Sequence, residues 1–407
     1  MEYIIIGNGV AGQTAAEALR KEDPTTVITL IGKEPFGYYS RIFLPQYITR
    51  TKSLTNLILR DKAWYAQQNI RFLPGVTVTR IDRSTHTVYT ASTNSASPPS
   101  SLVNSYHYDK LLIATGSNAR KLPFSNPSVK GVFTLRNIAD ADEIYEYITK
   151  HKVHEIFIIG GGLLGIELGY QLRDLHVHVT ICEIAPYLLP RQLDEPSAHI
   201  LQRYLESQQL QILTGVEVDR ILGDQVVTGV RLKSGQEYPA GIVLQQMGII
   251  PEIALAKSIG LPTDKGIIVN EYLQTIDNEI YAIGDCVQFR GLIWGIIPAS
   301  LEQAKIAVAH ILGQNPATYA GSFWNTRLKI AGIQLSCLGT PPSGETPTLE
   351  NVDEGNFLCK KVIIDQNTLK SAILMEVGSV NDQYFVKNIG KKVNVDEVKK
   401  KLYDKPK

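Results

Sequence analysis

The fold of this chain is decided by the stretch from His154 to Glu183, HEIFIIGGGLLGIELGYQLRDLHVHVTICE. Its apolar residues 156–159 predict a buried strand, and a G-x-G-x-x-G pattern at Gly160, Gly162 and Gly165 then opens an amphipathic helix. In such a unit the first glycine permits a tight turn, the second lets backbone approach a pyrophosphate, and the third lets the helix pack on the strand. The stretch therefore predicts a dinucleotide site, and a purely structural tight turn is the alternative.

Glu183 ends the second apolar run, 177–182, and indicates which dinucleotide binds. A diphosphate would lie at the helix N-terminus, where unpaired N–H groups and the helix dipole favour an anion. The Glu183 carboxylate would accept hydrogen bonds from a ribose 2'-hydroxyl, and it would repel a 2'-phosphate. We therefore expect NADH rather than NADPH.

Composition excludes several classes of protein. A chain of 407 residues predicts about two to three domains, and a net charge of +1 gives no reason to expect a nucleic-acid partner. The first strand begins within two residues of Met1, and no apolar run approaches the roughly 18 residues that span a bilayer. We expect a cytoplasmic protein without a membrane segment. The four cysteines are widely separated, which argues against disulfides, a thiol relay or a cysteine-bound metal cluster.

The N-terminal residues contain a second strand, glycine turn and helix of the same pattern. Residues 3–12, YIIIGNGVAG, place Gly7, Gly9 and Gly12 between an apolar strand and a helix over 13–21. The second strand of this copy covers 27–31, so its ribose ligand would be Glu34, with a solvated loop acid as the alternative. Two bound dinucleotides suggest one tight prosthetic group and one exchanging substrate, as in a flavoprotein reductase.

Four further sites belong with the first copy. Arg41, in a loop broken by proline and glycine, would pair with a diphosphate or is a surface arginine. Val78 offers backbone groups to an adenine edge, and the small residues 114–116 let backbone come near a cofactor. Asp285 follows a short strand at 280–283, where it would accept a hydrogen bond from a ribityl hydroxyl or merely cap a helix.

These patterns predict an α/β fold with two Rossmann-like three-layer domains and a small α+β C-terminal domain. We expect the FAD-binding domain at 1–118 and 248–318, the NAD-binding domain inserted at 119–247, and an interface domain at 319–407. Locally we expect a helix over 54–67, an exposed hairpin tip at 91–105, antiparallel strands over 212–230, and four strands followed by a helix at 395–402 after residue 321.

Four motifs in order carry a family resemblance: IGNGVAG at 6–12, LLIATG at 111–116, IIGGGLLGIE at 158–167 and EIYAIGDC at 279–286. Over almost the whole chain this order resembles the FAD-dependent pyridine nucleotide oxidoreductases. Outside the cofactor motifs, residues 28–44, 190–194 and 325–339 resemble the NADH:rubredoxin oxidoreductases and the related flavoprotein part of assimilatory nitrite reductases.

The resemblance implies FAD and NADH as cofactors. It places Glu167 beside the nicotinamide and flavin rings, and it brings Lys329 to the flavin, although a surface lysine is the alternative there. It implies that FAD is contacted by Gly7, Gly9, Gly12, Glu34, Thr115, Gly116 and Asp285. Further residues expected to bind a cofactor are Val10, Ala11, Lys33, Arg41, Val78, Ala114 and Ile297. The resemblance also implies that NADH is contacted by Gly160, Gly162, Gly165 and Glu183, and Leu163, Leu164 and Gly248 are further residues expected to bind a cofactor. No metal is implied.

The chain also departs from the family pattern. In GIVLQQMGIIPE, residues 241–252, Gly241, Ile250 and Glu252 replace an Asp, an Arg and an Asn. Gln46 stands where the family often has a lysine, and the redox cysteine pairs of the disulfide reductases are absent. Electrons would therefore leave directly from the flavin.

The expected function is hydride transfer from NADH to FAD, followed by electron transfer to a small protein such as rubredoxin. Arg327 and Lys329 would help to receive an acidic partner. An NADH oxidase, or a flavin subunit that feeds another iron-sulfur or haem acceptor, is the first alternative. A relay or regulatory flavoprotein with weak NADH turnover is an alternative of another class.

Overall fold

The computed structural model describes residues 1–93, 104–122, 129–330, 332–341 and 348–404. The chain divides into two compact units. The first unit contains residues 1–40, 53–118 and 249–322, and the second contains residues 41–52, 119–248 and 323–407. Most of the predicted hairpin tip at 91–105 lies outside the described residues.

The strands are, in chain order, β1 (Glu2–Ile6), β2 (Val27–Gly32), β3 (Tyr38–Tyr39), β4 (Ile58–Arg60), β5 (Ile70–Pro74), β6 (Val76–Asp82), β7 (Thr87–Ser92), β8 (Asn104–His107), β9 (Lys110–Ile113), β10 (Ser117–Ala119), β11 (Val132–Phe133), β12 (Glu155–Ile159), β13 (His178–Glu183), β14 (Gln211–Thr214), β15 (Val218–Leu222), β16 (Gly229–Leu232), β17 (Glu237–Pro239), β18 (Ile242–Gln245), β19 (Ile249–Pro251), β20 (Ile267–Ile268), β21 (Ile280–Ala282), β22 (Val287–Gln288), β23 (Asn325–Ile330), β24 (Ile333–Leu338), β25 (Leu349–Asp353), β26 (Leu358–Asp365) and β27 (Thr368–Val377). The helices are α1 (Val10–Glu22), α2 (Leu44–Ile48), α3 (Leu54–Leu57), α4 (Lys62–Gln67), α5 (Ile138–His151), α6 (Leu163–Leu172), α7 (Glu195–Ser207), α8 (Ala254–Ser258), α9 (Ile297–Ile311), α10 (Gln383–Asn388) and α11 (Val395–Tyr403).

The first unit is built on a five-stranded parallel sheet in the order β21-β9-β1-β2-β5. Its central strands are continuous apolar runs because both faces of such a sheet are covered. Helices α1 and α9 pack on each other beside the sheet, and strands β6, β7 and β8 form a separate antiparallel sheet. The strand order reverses between β1 and β9, which is where ligands lie in open α/β sheets.

The second unit repeats this plan with a parallel sheet in the order β11-β18-β12-β13-β14. Here the order reverses between β12 and β18. An antiparallel sheet of β15, β16 and β17 follows β14 along the chain. The α/β class with two Rossmann-like sheets, predicted from the sequence, is confirmed.

The C-terminal part of the second unit is a five-stranded antiparallel sheet in the order β23-β24-β27-β26-β25. Phe385 of α10 and two residues of α11, Val398 and Leu402, are buried against its apolar residues. This sheet also packs on the parallel-sheet part of the same unit, since β26 contacts α7 and β23 contacts α6. In the described part of the chain, no helix combines the length and apolar character that crossing a bilayer requires.

Three local expectations were wrong. Residues 54–67 do not form one helix, because β4 interrupts them by pairing with β3 and Asp61 then starts α4 by accepting the Trp64 N–H at 2.8 Å. Residues 211–214 join the parallel sheet beside β13 instead of an antiparallel sheet. Strand β25 and helix α10 were missed, since the alternation of β25 is obscured by exposed residues.

Candidate functional site

The two glycine turns have the same backbone hydrogen bonds. In the first unit the Gly7 N–H donates to the Ile31 carbonyl at 2.8 Å, and the Ala114 N–H donates to that of Ile6 at 2.8 Å. In the second unit the Gly160 N–H donates to the Cys182 carbonyl at 2.8 Å. The Gln246 N–H donates to the Ile159 carbonyl at 2.7 Å. Each turn is therefore joined to both neighbouring strands, with Gln246 in the place of Ala114.

The first and third glycines are required by the protein itself. A Cβ at Gly7 would lie 2.1 Å from the Ala114 carbonyl oxygen, and one at Gly12 would lie 1.9 Å from that of Gly7. The second turn repeats these clashes. A Cβ at Gly160 would lie 2.4 Å from the Gln246 carbonyl oxygen, and one at Gly165 would lie 2.0 Å from that of Gly160. Gly7 and Gly160 also have positive φ angles of 113° and 117°, which favour glycine.

The second glycines have no such reason within the protein. A Cβ at Gly9 or Gly162 would meet no atom of the described residues within 4 Å. Both residues have extended backbone angles that any amino acid adopts, with φ of −86° and −78°. The space left by each missing side chain fits the close approach of a phosphate, so the turns fit the dinucleotides that the sequence predicts.

The helix N-termini point to the same places. Helices α5, α7 and α11 have side-chain caps from Asn137, Asp194 and Asn394. In the described residues, α1, α6 and α9 have no side-chain cap hydrogen bond, and the short helices α2, α8 and α10 also have none. Unpaired N–H groups at a helix N-terminus bind anions. Among the uncapped helices, α1, α6 and α9 are those whose first residues the sequence assigns to cofactors.

Glu183 lies at the end of β13 with its carboxylate held by the turn. Oε2 accepts the Gly161 N–H at 2.9 Å, and Oε1 accepts the Ala185 N–H at 2.9 Å. A Cβ at Gly161 would lie 2.9 Å from Cβ of Glu183 and 2.6 Å from Cδ2 of Leu188. Gly161 is therefore a site residue that the G-x-G-x-x-G pattern did not identify. The triple glycine at 160–162 was the available signal.

Asp285 lies in a short 3-10 turn, residues 284–286, after β21. Its Oδ2 accepts a hydrogen bond from the Ser117 hydroxyl at 2.8 Å. The Gly284 N–H donates to Oε1 of Gln303 at 2.8 Å, which ties the turn to α9. A Cβ at Gly284 would lie 2.9 Å from Cβ of Ala11. The Asp285 turn and the first glycine turn therefore meet in the first unit, as a shared flavin site requires.

Asn8, inside the first turn, is held by a buried tyrosine. The Tyr65 hydroxyl lies 2.9 Å from Oδ1 of Asn8 and 2.6 Å from Oε1 of Gln13. Burial raises the pKa of Tyr65 to about 12, so the hydroxyl stays protonated at neutral pH. Sequence patterns gave no indication of Asn8, Gln13 or Tyr65, because nothing in a local motif links residues more than 50 positions apart.

Glu34 follows β2, and its carboxylate accepts a hydrogen bond from the Tyr39 hydroxyl. Lys33 beside it is exposed. Val78 lies in β6, where the pairing with β7 is irregular between Val78 and Arg80. The glutamate therefore has a hydrogen-bond partner within the first unit, whereas Lys33 is an exposed surface side chain.

Glu252, which departs from the family pattern, forms hydrogen bonds through both its backbone and its carboxylate. The Glu252 N–H donates to the Gly116 carbonyl at 2.9 Å, and the Glu252 carbonyl accepts the Thr115 hydroxyl at 2.8 Å. Its carboxylate accepts the Asn118 amide at 2.7 Å and the Ala254 N–H at 3.1 Å. Glu252 thus fixes the loop that carries Thr115 and Gly116.

The remaining predicted residues lie as follows. Glu167 is half-buried on α6, and Arg41 lies in a 3-10 turn at 41–43 within the second unit. Lys329 is in β23, and its side chain is outside the described part of the structure. Five predicted residues lie at the N-termini of helices without a side-chain cap: Val10 and Ala11 of α1, Leu163 and Leu164 of α6, and Ile297 of α9. Gly248, with φ of 92°, is exposed after β18.

Arg327 differs from the expectation of a free docking cation. Its guanidinium lies 2.9 Å from a carboxylate oxygen of Asp382, whose side chain is only 13% exposed. Asp382 also accepts the Ser336 hydroxyl at 2.7 Å. Arg327 thus forms an ion pair within the second unit, although its own side chain is 48% exposed, and this pairing reduces the charge it offers to a partner.

None of the four cysteines has the environment of a reactive thiolate. All four are buried and free. Burial raises the pKa of Cys286, beside Asp285, to about 11, and it raises that of Cys182 to about 12. A thiol with such a pKa is protonated at neutral pH and is a poor nucleophile.

Comparisons with known proteins identify the family of this chain. The family model described as pyridine nucleotide-disulphide oxidoreductase matches residues 1–310. A nitrite reductase (NAD(P)H) of Bacillus subtilis (strain 168) is 33% identical over 401 residues, 98% of this chain and 48% of that protein. An NADH oxidase of Methanocaldococcus jannaschii is 32% identical over 330 residues, 78% of this chain and 72% of that protein.

A solved structure extends the likeness to the fold. NADH:rubredoxin oxidoreductase from Clostridium acetobutylicum has a TM-score of 0.73 at 25% identity, covering 97% of this chain and 95% of that one. The chain spans about half the length of the first curated relatives that it matches. The chain belongs to the pyridine nucleotide-disulphide oxidoreductase family, whose members are FAD-dependent and use NADH.

Proposed function

We propose that this chain oxidises NADH and passes the electrons through FAD to a small redox protein such as a rubredoxin. The observation that carries the proposal is the pair of glycine turns, each with a second glycine that faces open space beside an uncapped helix. When bound, the two cofactors supply hydride transfer and single-electron transfer.

In this proposal FAD is held by a binding domain of residues 1–118 and 248–318, which lies in the first unit except for residues 41–52 and 248. The N-terminus of α1 binds the diphosphate, Glu34 binds the adenosine ribose, and Asp285 orients the ribityl chain. Ser117 and Gln303 keep the Asp285 turn in place through the hydrogen bonds described above.

The second unit then holds NADH, with 119–247 as the binding domain and 319–407 as an interface domain. The N-terminus of α6 binds the diphosphate, and Glu183 binds the adenosine ribose and selects against a 2'-phosphate. Glu167 and Lys329 are proposed to act near the reacting rings, Glu167 by orienting the nicotinamide and Lys329 by stabilising negative charge on the flavin.

Two observations support a small redox protein as the electron acceptor. First, the buried, protonated thiols argue against an internal thiol relay, so electrons leave from the flavin. Second, a rubredoxin oxidoreductase structure resembles nearly the full length of this chain. A flavin subunit or domain serving another acceptor is the second candidate, because the Bacillus nitrite reductase matches 98% of this chain with only 48% of its own length.

Anaerobic titration of the FAD-loaded protein with NADH tests the first step. The flavin absorption band should bleach with NADH and respond much less to NADPH. A flavin that NADH leaves oxidised would contradict the reductase proposal and support a relay or regulatory role. Gly162→Ala is the matched variant, since it should reduce bleaching by NADH while it retains the flavin.

An acceptor panel then separates the two candidates. The NADH-reduced protein is offered rubredoxin, cytochrome c, ferricyanide and oxygen, and reoxidation of the flavin is timed. Fast reoxidation by rubredoxin supports the proposed acceptor. Fast reoxidation by oxygen alone supports an oxidase, and reaction with ferricyanide alone supports a subunit that serves another protein.

A further inference from the structure

Gln246 contains a buried hydrogen-bond donor without a protein acceptor. Its side-chain nitrogen Nε2 is inaccessible to solvent and has no hydrogen-bond partner among the residues that the structure describes. Leaving a buried amide unpaired costs about 1–3 kcal/mol, so such groups are uncommon in folded proteins. A group of this kind requires an explanation, and a ligand that accepts the hydrogen bond is one.

The first glycine turn supplies an internal comparison. Gln246 and Ala114 occupy the same position, since each N–H donates to the last residue of the central strand and each carbonyl lies against the first glycine. The backbone arrangement therefore needs no more than alanine at this position. The amide of Gln246 is an addition in the second unit alone, which points to a role specific to the ligand of that unit.

The position of Gln246 indicates which part of the ligand it meets. It follows β18, on one side of the central strand β12, whereas Glu183 ends β13 on the other side. Dinucleotides lie across the point where strand order reverses, here between β12 and β18. With the adenosine ribose at Glu183, the opposite half of the dinucleotide extends towards β18. A Cβ on Gly165 would lie 3.7 Å from Cβ of Gln246, so this side chain borders the glycine turn.

We propose that Gln246 is a positioning residue whose side-chain N–H donates to an oxygen of the nicotinamide-ribose half of NADH. The inference rests on the proposed NADH role of the second unit. It gives the segment 241–252, which departs from the family pattern, a positive function at the nicotinamide end. The hydrogen bond would help to hold the ring for hydride transfer, because small changes in orientation strongly alter such rates.

The test uses the FAD-loaded full-length protein with Gln246→Met, which preserves size and removes the donor, and Gln246→Glu, which preserves shape and replaces the donor with an acceptor. Affinity is measured for NADH and for AMP, which lacks the nicotinamide half. Each variant should bind NADH about tenfold more weakly and reduce its flavin more slowly, while AMP binds as in the wild type. The melting temperature of Gln246→Met without NADH should not fall, because no protein hydrogen bond is lost.

Gln245→Met is the matched control. Its Oε1 accepts the Leu122 N–H at 2.8 Å, so the substitution should lower the melting temperature and leave the ratio of NADH to AMP affinity unchanged. Unchanged NADH affinity in Gln246→Met or in Gln246→Glu would overturn the inference. So would a lower melting temperature of Gln246→Met together with equal weakening of NADH and AMP, since that indicates a packing role.

The wild-type protein separates this inference from the proposed function. If NADH bleaches the wild-type flavin and both Gln246 variants behave identically to it, only the role of Gln246 is wrong. If NADH neither binds to the wild type nor bleaches its flavin, the proposed function and the inference fall together.

Discussion

A methyl group at Gly162 would meet no described atom within 4 Å, whereas one at Gly165 would lie 2.0 Å from the carbonyl oxygen of Gly160. Replacement of glycine by alanine should therefore impair ligand binding at Gly162 and folding at Gly165. Gly162→Ala should keep its melting temperature within about 2 °C and weaken NADH binding tenfold or more, at about 1.4 kcal/mol per factor of ten. Calorimetric melting and NADH titration measure the two effects.

Gly165→Ala is the paired variant in that experiment. Because the added carbon would overlap a backbone carbonyl, we expect loss of soluble folded protein rather than a selective binding defect. The assignment of the second glycine to the ligand would be wrong if Gly162→Ala bound NADH normally.

Glu183 is the second residue whose role can be separated from its packing. In Glu183→Gln the side chain keeps one acceptor, so either the Gly161 or the Ala185 N–H loses its partner. We expect the preference for NADH over NADPH, measured as a ratio of kcat/KM, to fall at least tenfold. Unfolding free energy should fall by about 1–3 kcal/mol.

Glu146→Gln, at an exposed glutamate in the middle of α5, serves as the control for Glu183→Gln. It should change neither the coenzyme preference nor the unfolding free energy by more than about 0.5 kcal/mol. A Glu183→Gln protein that discriminates as sharply as the wild type would contradict the ribose assignment.

For single residues, the sequence could predict those whose type is fixed by local backbone geometry. Gly7, Gly160 and Glu183 stand at spacings set by a strand, a turn and a helix, so a linear pattern finds them. The donor to Asn8, the Tyr65 hydroxyl, and the missing acceptor for Gln246 depend on which distant segments come together, and local spacing carries no record of that.

Helix α9 connects the Asp285 turn to the rest of the first unit. Gln303, 1% exposed, accepts the Gly284 N–H and donates to the Tyr319 hydroxyl at 3.2 Å. In Gln303→Leu the buried Gly284 N–H is unpaired, which should cost about 1–3 kcal/mol of unfolding free energy. Loosening of the turn should also speed FAD release, which flavin fluorescence follows. Lys305→Gln, on the exposed face of the same helix, should change neither quantity.

Strand β26 holds a nearly buried ion pair to the start of α7. Nζ of Lys361 lies 2.7 Å from Oδ2 of Asp194, with side chains 7% and 17% exposed. Removing one partner of a buried pair leaves the other charge buried without a partner. Lys361→Met should therefore lower the unfolding free energy by about 3 kcal/mol. The exposed lysine of β27 gives the control, Lys370→Met, for which denaturant unfolding should show no more than about 0.5 kcal/mol of change.

The same pair predicts a pH dependence. Burial lowers the pKa of Lys361, but the hydrogen bond and charge of Asp194 outweigh it, so the pKa is raised above its ordinary value. A raised folded-state pKa gives stability that is complete below the unfolded-state pKa and lost as pH rises through the folded-state value. The stability gap between wild type and Lys361→Met should therefore be constant near neutral pH and narrow in strongly alkaline solution. A gap that widened there would contradict the ion-pair assignment.

Sequence predicted the long elements and missed short ones whose type depends on pairing. The strands β1, β12 and β18 are apolar runs long enough to identify alone. Residues 58–60 have a helical pattern with their neighbours, yet they form a strand because Tyr38 and Tyr39 lie beside them. Pairing with a distant segment overrides weak local preference at such positions.

The whole chain contains one architecture twice, and the copies differ in what surrounds the glycine turn. Gly284 and Asp285 meet the first turn at Ala11, whereas the second turn is bordered by Glu183 and Gln246. In the proposed function the shared part binds a diphosphate, and the differing parts select the ligand. A ligand that occupies only one copy should therefore change the stability of one region of the molecule.

Hydrogen exchange on the FAD-loaded protein tests this division with AMP as the probe. AMP at 100 times its dissociation constant stabilises the state it binds by about 2.7 kcal/mol. Amide exchange should therefore slow about 100-fold at N–H groups that become exposed only after AMP has dissociated. Protection should centre on the turn at 160–165 and on the N–H groups that hold Glu183. The turn at 7–12 should show no change, because FAD already occupies it. Gly162→Ala should abolish the AMP effect at the same AMP concentration. Protection at 7–12 in place of 160–165 would reverse the assignment of the two copies, since AMP would then be entering the site given to FAD.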